Sequence, residues 1–174
     1  DNYTFSLYAT YTRGTGFFSS LYGAYTYSDN DYRISNGNRS NTADFHTNNF
    51  MVGNQTGYKF DFCNGFSLAP SIGIVYQYAK SSNFTTGGND LVTRYSGLDS
   101  RSLRIPVELE AKYEMELGCD SSMEFTVKGG YAYDFKTDGV TGSMDIVGTG
   151  IGSRIRGAKG SHSSWNIGTG IRYR

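Results

Sequence analysis

Between Leu103 and Leu117 apolar and charged residues alternate without a break. Leu103, Ile105, Val107, Leu109, Ala111, Tyr113, Met115 and Leu117 take the odd places, and Arg104, Pro106, Glu108, Glu110, Lys112, Glu114 and Glu116 the even ones. Successive side chains of a strand point to opposite faces, so this run is apolar on one face and charged on the other. A helix of the same residues would scatter its carboxylates around the cylinder. At roughly 3.3 Å per residue the run is on the order of 50 Å long, far beyond the five or six residues usual in a soluble sheet. An unbroken alternation of that length suits a transmembrane barrel, where about 9 to 11 residues cross the lipid and the rest stand above it.

The rest of the chain repeats the pattern. Tyr3, Phe5, Leu7, Ala9 and Tyr11 alternate with Thr4, Ser6, Tyr8, Thr10 and Thr12, and a Gly-rich turn follows at Arg13–Gly16. Ser19, Leu21, Gly23, Tyr25 and Tyr27 mark a second strand, and the polar segment Ser35–Asn41 reads as a loop. A third strand carries Phe50, Val52, Asn54, Thr56, Tyr58, Phe60 and Phe62 outward and Gly53, Gln55, Gly57 and Lys59 inward, closing in the Asn64-Gly65 turn. Leu68, Pro70, Ile72, Ile74, Tyr76 and Tyr78 form the outer row of a fourth, with Pro70 near its start. From Lys80 to about Asp99 the chain is polar and Gly-rich, and the run from Leu103 makes the fifth strand. The sixth sets Met123, Phe125, Val127, Gly129, Tyr131, Tyr133 and Phe135 against Glu124, Thr126, Lys128, Gly130, Ala132 and Asp134. A long segment to Ser164 holds a short strand at Val140–Ile146, and Trp165–Tyr173 is the last strand. The fold class is therefore all-β: an antiparallel transmembrane β-barrel, a meander of long strands, in one domain over residues 1–174.

Composition narrows the function classes. A net charge of zero removes the basic excess of a nucleic-acid binder, and a mean hydropathy of −0.47 leaves no run long enough for a spanning helix. Modest hydropathy is compatible with a barrel, because only every second residue meets lipid. Fifteen Tyr and eleven Phe beside two Pro favour pleated strands and supply the aromatic girdles of outer-membrane barrels. Connections alternate between short turns (Gly14–Gly16, Asp61–Gly65, Leu117–Ser121) and long polar segments. Short periplasmic turns opposite long extracellular loops are the asymmetry such barrels show. The chain opens in a strand at Asp1-Asn2-Tyr3 with no leader, which reads as a piece of a longer barrel.

The runs Thr56–Asp61 and Asn64–Pro70, the long strand from Leu103, and Tyr131-Ala132-Tyr133-Asp134-Phe135 together resemble the β-domain of autotransporters, the type V secretion family. They look similar to strands four to ten of its twelve, which places the first three strands and the pore helix outside this chain. Cysteine at turns like Cys63 also occurs in the chlamydial polymorphic membrane proteins, a related set. The final Tyr173-Arg174 departs from the aromatic residue that usually ends the family. The resemblance implies an outer-membrane translocator in a Gram-negative bacterium. It is inserted by the barrel assembly machinery, set among lipid and lipopolysaccharide, and exports a passenger domain of the same polypeptide. It implies no cofactor and no enzymatic activity. Two alternatives remain open: a small eight-stranded structural or adhesin barrel, needing Val140–Ile146 as a true strand and no missing ends, and a soluble β-sandwich binding module.

Gln55, Lys59, Arg104, Glu108, Glu110, Lys112, Glu114, Lys128 and Asp134 form an inward row of both signs, read as lining a lumen. Paired-carboxylate catalysis by Glu108, Glu110 and Glu114 is the weaker reading, since residues two apart on a strand face lie about 6.6 Å apart and no nucleophile accompanies them. Cys63 and Cys119 fall in short turns at one end, joined by one hairpin, and an oxidising periplasm permits a disulfide between them; two free thiols are the alternative. With His46 and His162 they show no metal-ligand spacing. Arg154, Arg156 and Lys159 make a basic cluster that reads as a solvated loop, or as a contact to lipopolysaccharide phosphates or a host ligand. Asn2, Asn38, Asn54 and Asn83 stand in Asn-X-Ser/Thr triplets, which matter only in a eukaryotic secretory setting.

Overall fold

Alternating strands joined by short turns pair most readily with their neighbours in the chain, and these do. The computed structural model describes residues 1–14, 16–36, 38–62, 64–118, 121–157 and 161–174, without the side chains of residues 36 and 136–138. In chain order the strands are β1 (Asn2–Arg13), β2 (Phe17–Asn36), β3 (Arg39–Tyr58), β4 (Phe60–Asp61), β5 (Phe66–Ser81), β6 (Phe84–Thr85), β7 (Gly87–Gly88), β8 (Thr93–Gly118), β9 (Ser121–Ile146), β10 (Ile151–Arg156) and β11 (Ser163–Tyr173). They make one sheet in the order β1-β2-β3-β5-β8-β9, with β10 and β11 both on β9 at different heights. All its pairs are antiparallel. Among the described residues β1 and β11 do not pair with each other, so the sheet is open.

Register assigns the faces. Leu7 pairs with Gly23, Gly23 with Val52, Val52 with Tyr76 and Tyr76 with Leu103. Further along, Val107 pairs with Tyr131 and Tyr131 with Trp165. Every apolar row thus falls on one face, as strict alternation requires. That face stands open: Ile72 is 56% exposed and Val107 48%. The other face is crowded, as on the inside of a curved sheet, with Asp134 at 2% and Ala132 and Ser67 also buried. Apart from Ala43 and Ala132 no hydrophobic side chain is buried among the described residues. A soluble sandwich packs its apolar rows against each other, and these rows are not so packed.

The polar segments depart from expectation. Ser35–Asn41, read as a loop, is mostly strand: β2 runs to Asn36 and β3 begins at Arg39, the two residues paired. The fifth strand starts at Thr93 rather than Leu103. Val140–Ile146 is the upper part of β9, paired with β8 and β10. It is strand as expected, but as a continuation of β9 it adds no separate strand to the sheet. The third strand breaks at Lys59, leaving β4 as a two-residue continuation. Long hairpins thus stand where loops were expected.

These extensions are folded, not frayed. Between β3 and β8, above the end of β5, the segment 82–92 fills the sheet through β6 and β7. The Phe84 ring stacks on Phe45 and on Tyr95, with centroids 4.5 and 4.8 Å apart. Buried Asn41 donates to the Leu91 carbonyl at 2.9 Å. The β8–β9 ladder shifts register between Ser96 and Asp99, Asp99 and Arg101, and Leu103 and Arg104. Each such bulge inserts a residue in one strand and turns the alternation over.

Candidate functional site

Two features of the sheet bear on function: the open apolar face and the crowded polar one. On the apolar face, aromatic residues recur at a fixed interval: Tyr3 and Tyr11, Phe17 and Tyr25, Phe50 and Tyr58, Phe125 and Tyr133, Trp165 and Tyr173. One member of each pair stands near the short turns and the other toward the long hairpins. Eight residues at roughly 3.3 Å span about 26 Å along the strand, or about 20 Å in height at the usual tilt, close to the apolar band of outer-membrane barrels. Leu7, Leu21, Val52, Ile72, Ile74, Val107, Leu109, Val127 and Ile167 fill the band between. The sequence held this signal, but only as an interval within strands whose faces register had yet to align.

Polar groups in the band are closed on themselves. Asn54 Nδ2 donates to Ser19 Oγ at 3.1 Å and to the Ser20 carbonyl at 3.2 Å, and Thr56 Oγ1 donates to Asn54 Oδ1 at 3.0 Å. With each other as partners, they escape most of the cost of unsatisfied groups in hydrocarbon.

On the polar face, Glu108 is the hub. Gln55 Nε2 lies 2.6 Å from its Oε2 and 2.9 Å from Ser71 Oγ, and Lys128 Nζ lies 2.9 Å from the same Oε2. Asn166 stands in register with Gly130, which is itself opposite Glu108. The Asn166 side chain lies over Gly130, where a Cβ would come within 2.6 Å of Oδ1. Side chains from β3 and β9 therefore converge on one carboxylate of β8, with Ser71 of β5 holding Gln55 and Asn166 of β11 close by. Ser71 and Asn166 were not among the residues singled out, because neither carries charge and only register brings them to Glu108.

Lower on this face Lys112 pairs with Glu110 at 3.0 Å. Lys59 is drawn aside to Asp61 at 2.6 Å. Glu114 lies opposite Glu124, which takes Arg172 at 3.6 Å. Higher up, Arg104 grips Asp134 with Nε at 2.9 Å and Nη2 at 3.1 Å. Asp134 is buried while Arg104 is half exposed, so the two sides of this bond are unequal. Arg104→Ala leaves a buried carboxylate with Ser102, at 3.4 Å, as its side-chain donor among the described residues, and is expected to cost about 2 kcal/mol. Asp134→Asn frees an arginine that water can reach and is expected to cost about half as much. Urea unfolding of the two variants in detergent micelles reads the difference.

Cys63, Cys119 and Lys159 lie outside the described residues, while Arg154 and Arg156 are placed on the edge strand β10. His46 stacks on Tyr27 and His162 contacts the Asp134 carbonyl, so the two sit in different parts of the wall.

A family model for the autotransporter β-domain matches residues 1–174. The β domain of the Bordetella autotransporter BrkA is similar in structure, with a TM-score of 0.63 at 16% identity over 99% of this chain and 70% of that one. The ferric yersiniabactin uptake receptor FyuA from Yersinia pestis matches with a TM-score of 0.53 at 8% identity, over 99% of this chain and 24% of that one. At these identities the structural likeness speaks for the fold, an outer wall of long antiparallel strands, and the family match speaks for membership. With its banded apolar face and its polar inner one, the chain belongs to the autotransporter β-domain family, the outer-membrane translocators of Gram-negative bacteria that carry a passenger domain of the same polypeptide to the cell surface.

Proposed function

We propose that residues 1–174 act as one barrel domain whose inner row (Gln55, Lys59, Arg104, Glu108, Glu110, Lys112, Glu114, Lys128 and Asp134) lines the lumen through which the passenger passes. The observation that carries this reading is the Glu108 hub. Its side chains bond to one another and lie along the wall, leaving a polar surface of both signs. A passing chain finds neither an apolar patch to adhere to nor a field of one sign to hold it. Chemistry has no part in this role: Glu108 is taken up by Lys128 and Gln55, and Glu110 by Lys112. The apolar band meets outer-membrane lipid and lipopolysaccharide, and insertion relies on the barrel assembly machinery.

The test makes the hub apolar, as Gln55→Leu, Glu108→Leu and Lys128→Leu together, in the complete polypeptide. Removing the whole cluster avoids leaving one charge stranded. The barrel is expected to remain heat-modifiable on gels, while passenger exposed to protease on intact cells falls several-fold. Undiminished surface passenger with all three residues apolar would falsify the lumen reading.

A further inference from the structure

The edge strand β10 carries two arginines that the barrel wall does not use. Arg154 pairs with Ser143 and Arg156 with Thr141, so the two guanidinium groups and two hydroxyls share a face. Ser143 Oγ lies 2.7 Å from Ser96 Oγ, and these residues line a cavity of about 400 Å³. Neither arginine has an ion pair among the described residues. The acids on that face are Asp99, engaged by Arg101 at 3.5 Å and Thr141 at 2.9 Å, and Asp145, opposite Arg94.

A chain of contacts traces this cavity to the lipid side of the wall. Tyr78 belongs to the apolar row and holds the Arg101 guanidinium 5.3 Å from its ring centroid. Arg101 bonds Asp99, Asp99 accepts from Thr141, and Thr141 lines the cavity. From Arg101 to Ser96 is five residues, about 16 Å along the strand and about 12 Å in height at the usual tilt. The cavity thus opens outward just above the upper aromatic ring, at the level of headgroups and not of solvent far from the membrane.

We propose that this cavity seats a phosphate of the phosphorylated saccharide headgroup of an outer-leaflet glycolipid. The two arginines, two positions apart on one strand, supply forked donors matched to phosphate oxygens, and Ser143 and Thr141 supply the hydroxyls that sugar oxygens require. Such a seat fixes the height and rotation of the extracellular hairpins against the membrane surface. The assignment rests on the apolar face meeting lipid.

The experiment uses the complete polypeptide, purified from outer membranes and delipidated in detergent, with bound lipid read by native mass spectrometry. The probes are bisphosphorylated lipid A and the same lipid stripped of both phosphates, each with and without inorganic phosphate as competitor. Wild type is expected to retain the bisphosphorylated probe about tenfold better than the stripped one, and Arg154→Ala with Arg156→Ala to lose that margin. The paired Arg→Lys variant, which keeps charge without the fork, is expected to fall between and serves if the alanine pair misfolds. Equal retention by wild type and variants, or no preference for the phosphorylated probe, overturns the site. Displacement by millimolar inorganic phosphate overturns the lipid assignment in favour of a free-phosphate site. In each case heat-modifiable mobility of the wild type shows that the barrel stands, so the lumen reading is tested separately by passenger display.

Discussion

Val107→Arg is expected to destabilise the folded barrel by about 2–4 kcal/mol, the depth-dependent cost of a guanidinium facing lipid near the midplane. Val107 sits between Ile72 and Tyr131 in the apolar band and is half exposed. Exposure alone would predict tolerance, since surface substitutions elsewhere seldom exceed about 0.5 kcal/mol. The medium makes the difference. Ile34 is equally exposed, at 52% against 48%, but stands in the β2–β3 hairpin above the band. Ile34→Arg is accordingly expected to leave stability unchanged within about 0.5 kcal/mol. Urea titration of folding into phospholipid vesicles measures both, and equal costs at the two positions would place the band in water.

Gly65→Val is expected to cost on the order of 3 kcal/mol, from a left-handed backbone that a β-branched residue resists and from a direct collision. Gly65 has φ of 76°, and a Cβ there would stand 2.1 Å from the Glu114 carbonyl oxygen. Its own carbonyl accepts from Glu114 N–H at 2.8 Å, so the turn is stitched to β8 and has no room to retreat. Gly97 separates the two causes: its φ is 63°, but no atom lies within 4 Å of a Cβ. Gly97→Ala should cost only the conformational part, about 1 kcal/mol. The same vesicle titration reports the pair; if both variants lose equally little, the β5 turn is looser than its hydrogen bonds imply.

Legibility in the sequence followed the difference between the two media. Within the band one face meets hydrocarbon and the other does not, so β1, β5, β11 and the lower parts of β2, β3, β8 and β9 wrote their faces as alternation. Above the band both faces are wet, and Ser35–Asn41 or Thr93–Ser102 can be strand without any contrast to show it. Hydrogen bonding holds those hairpins together, and backbone bonds leave no residue signature. The inner charges were legible as a row, but not as a network. That Gln55 reaches Glu108 depends on the register of β3 with β5 and of β5 with β8, which turn lengths and packing set together. Lys59 keeps the parity of the row across the break after Tyr58: it pairs with Asp61 and lines one cavity with Lys112, Glu114 and Glu124.

The bulges between Ser96 and Arg104 carry a consequence for how the chain can change in length. Inside the band, one inserted or deleted residue would carry every later side chain of that strand across the wall, driving charge into lipid and aromatics inward. Above Arg104 the parity has already been reset several times, so a further insertion there is absorbed by the hairpin that contains it. Related barrels are therefore expected to hold a constant strand length between their aromatic rings while their surface hairpins lengthen and shorten freely, which lets the exposed part diversify without renegotiating the membrane.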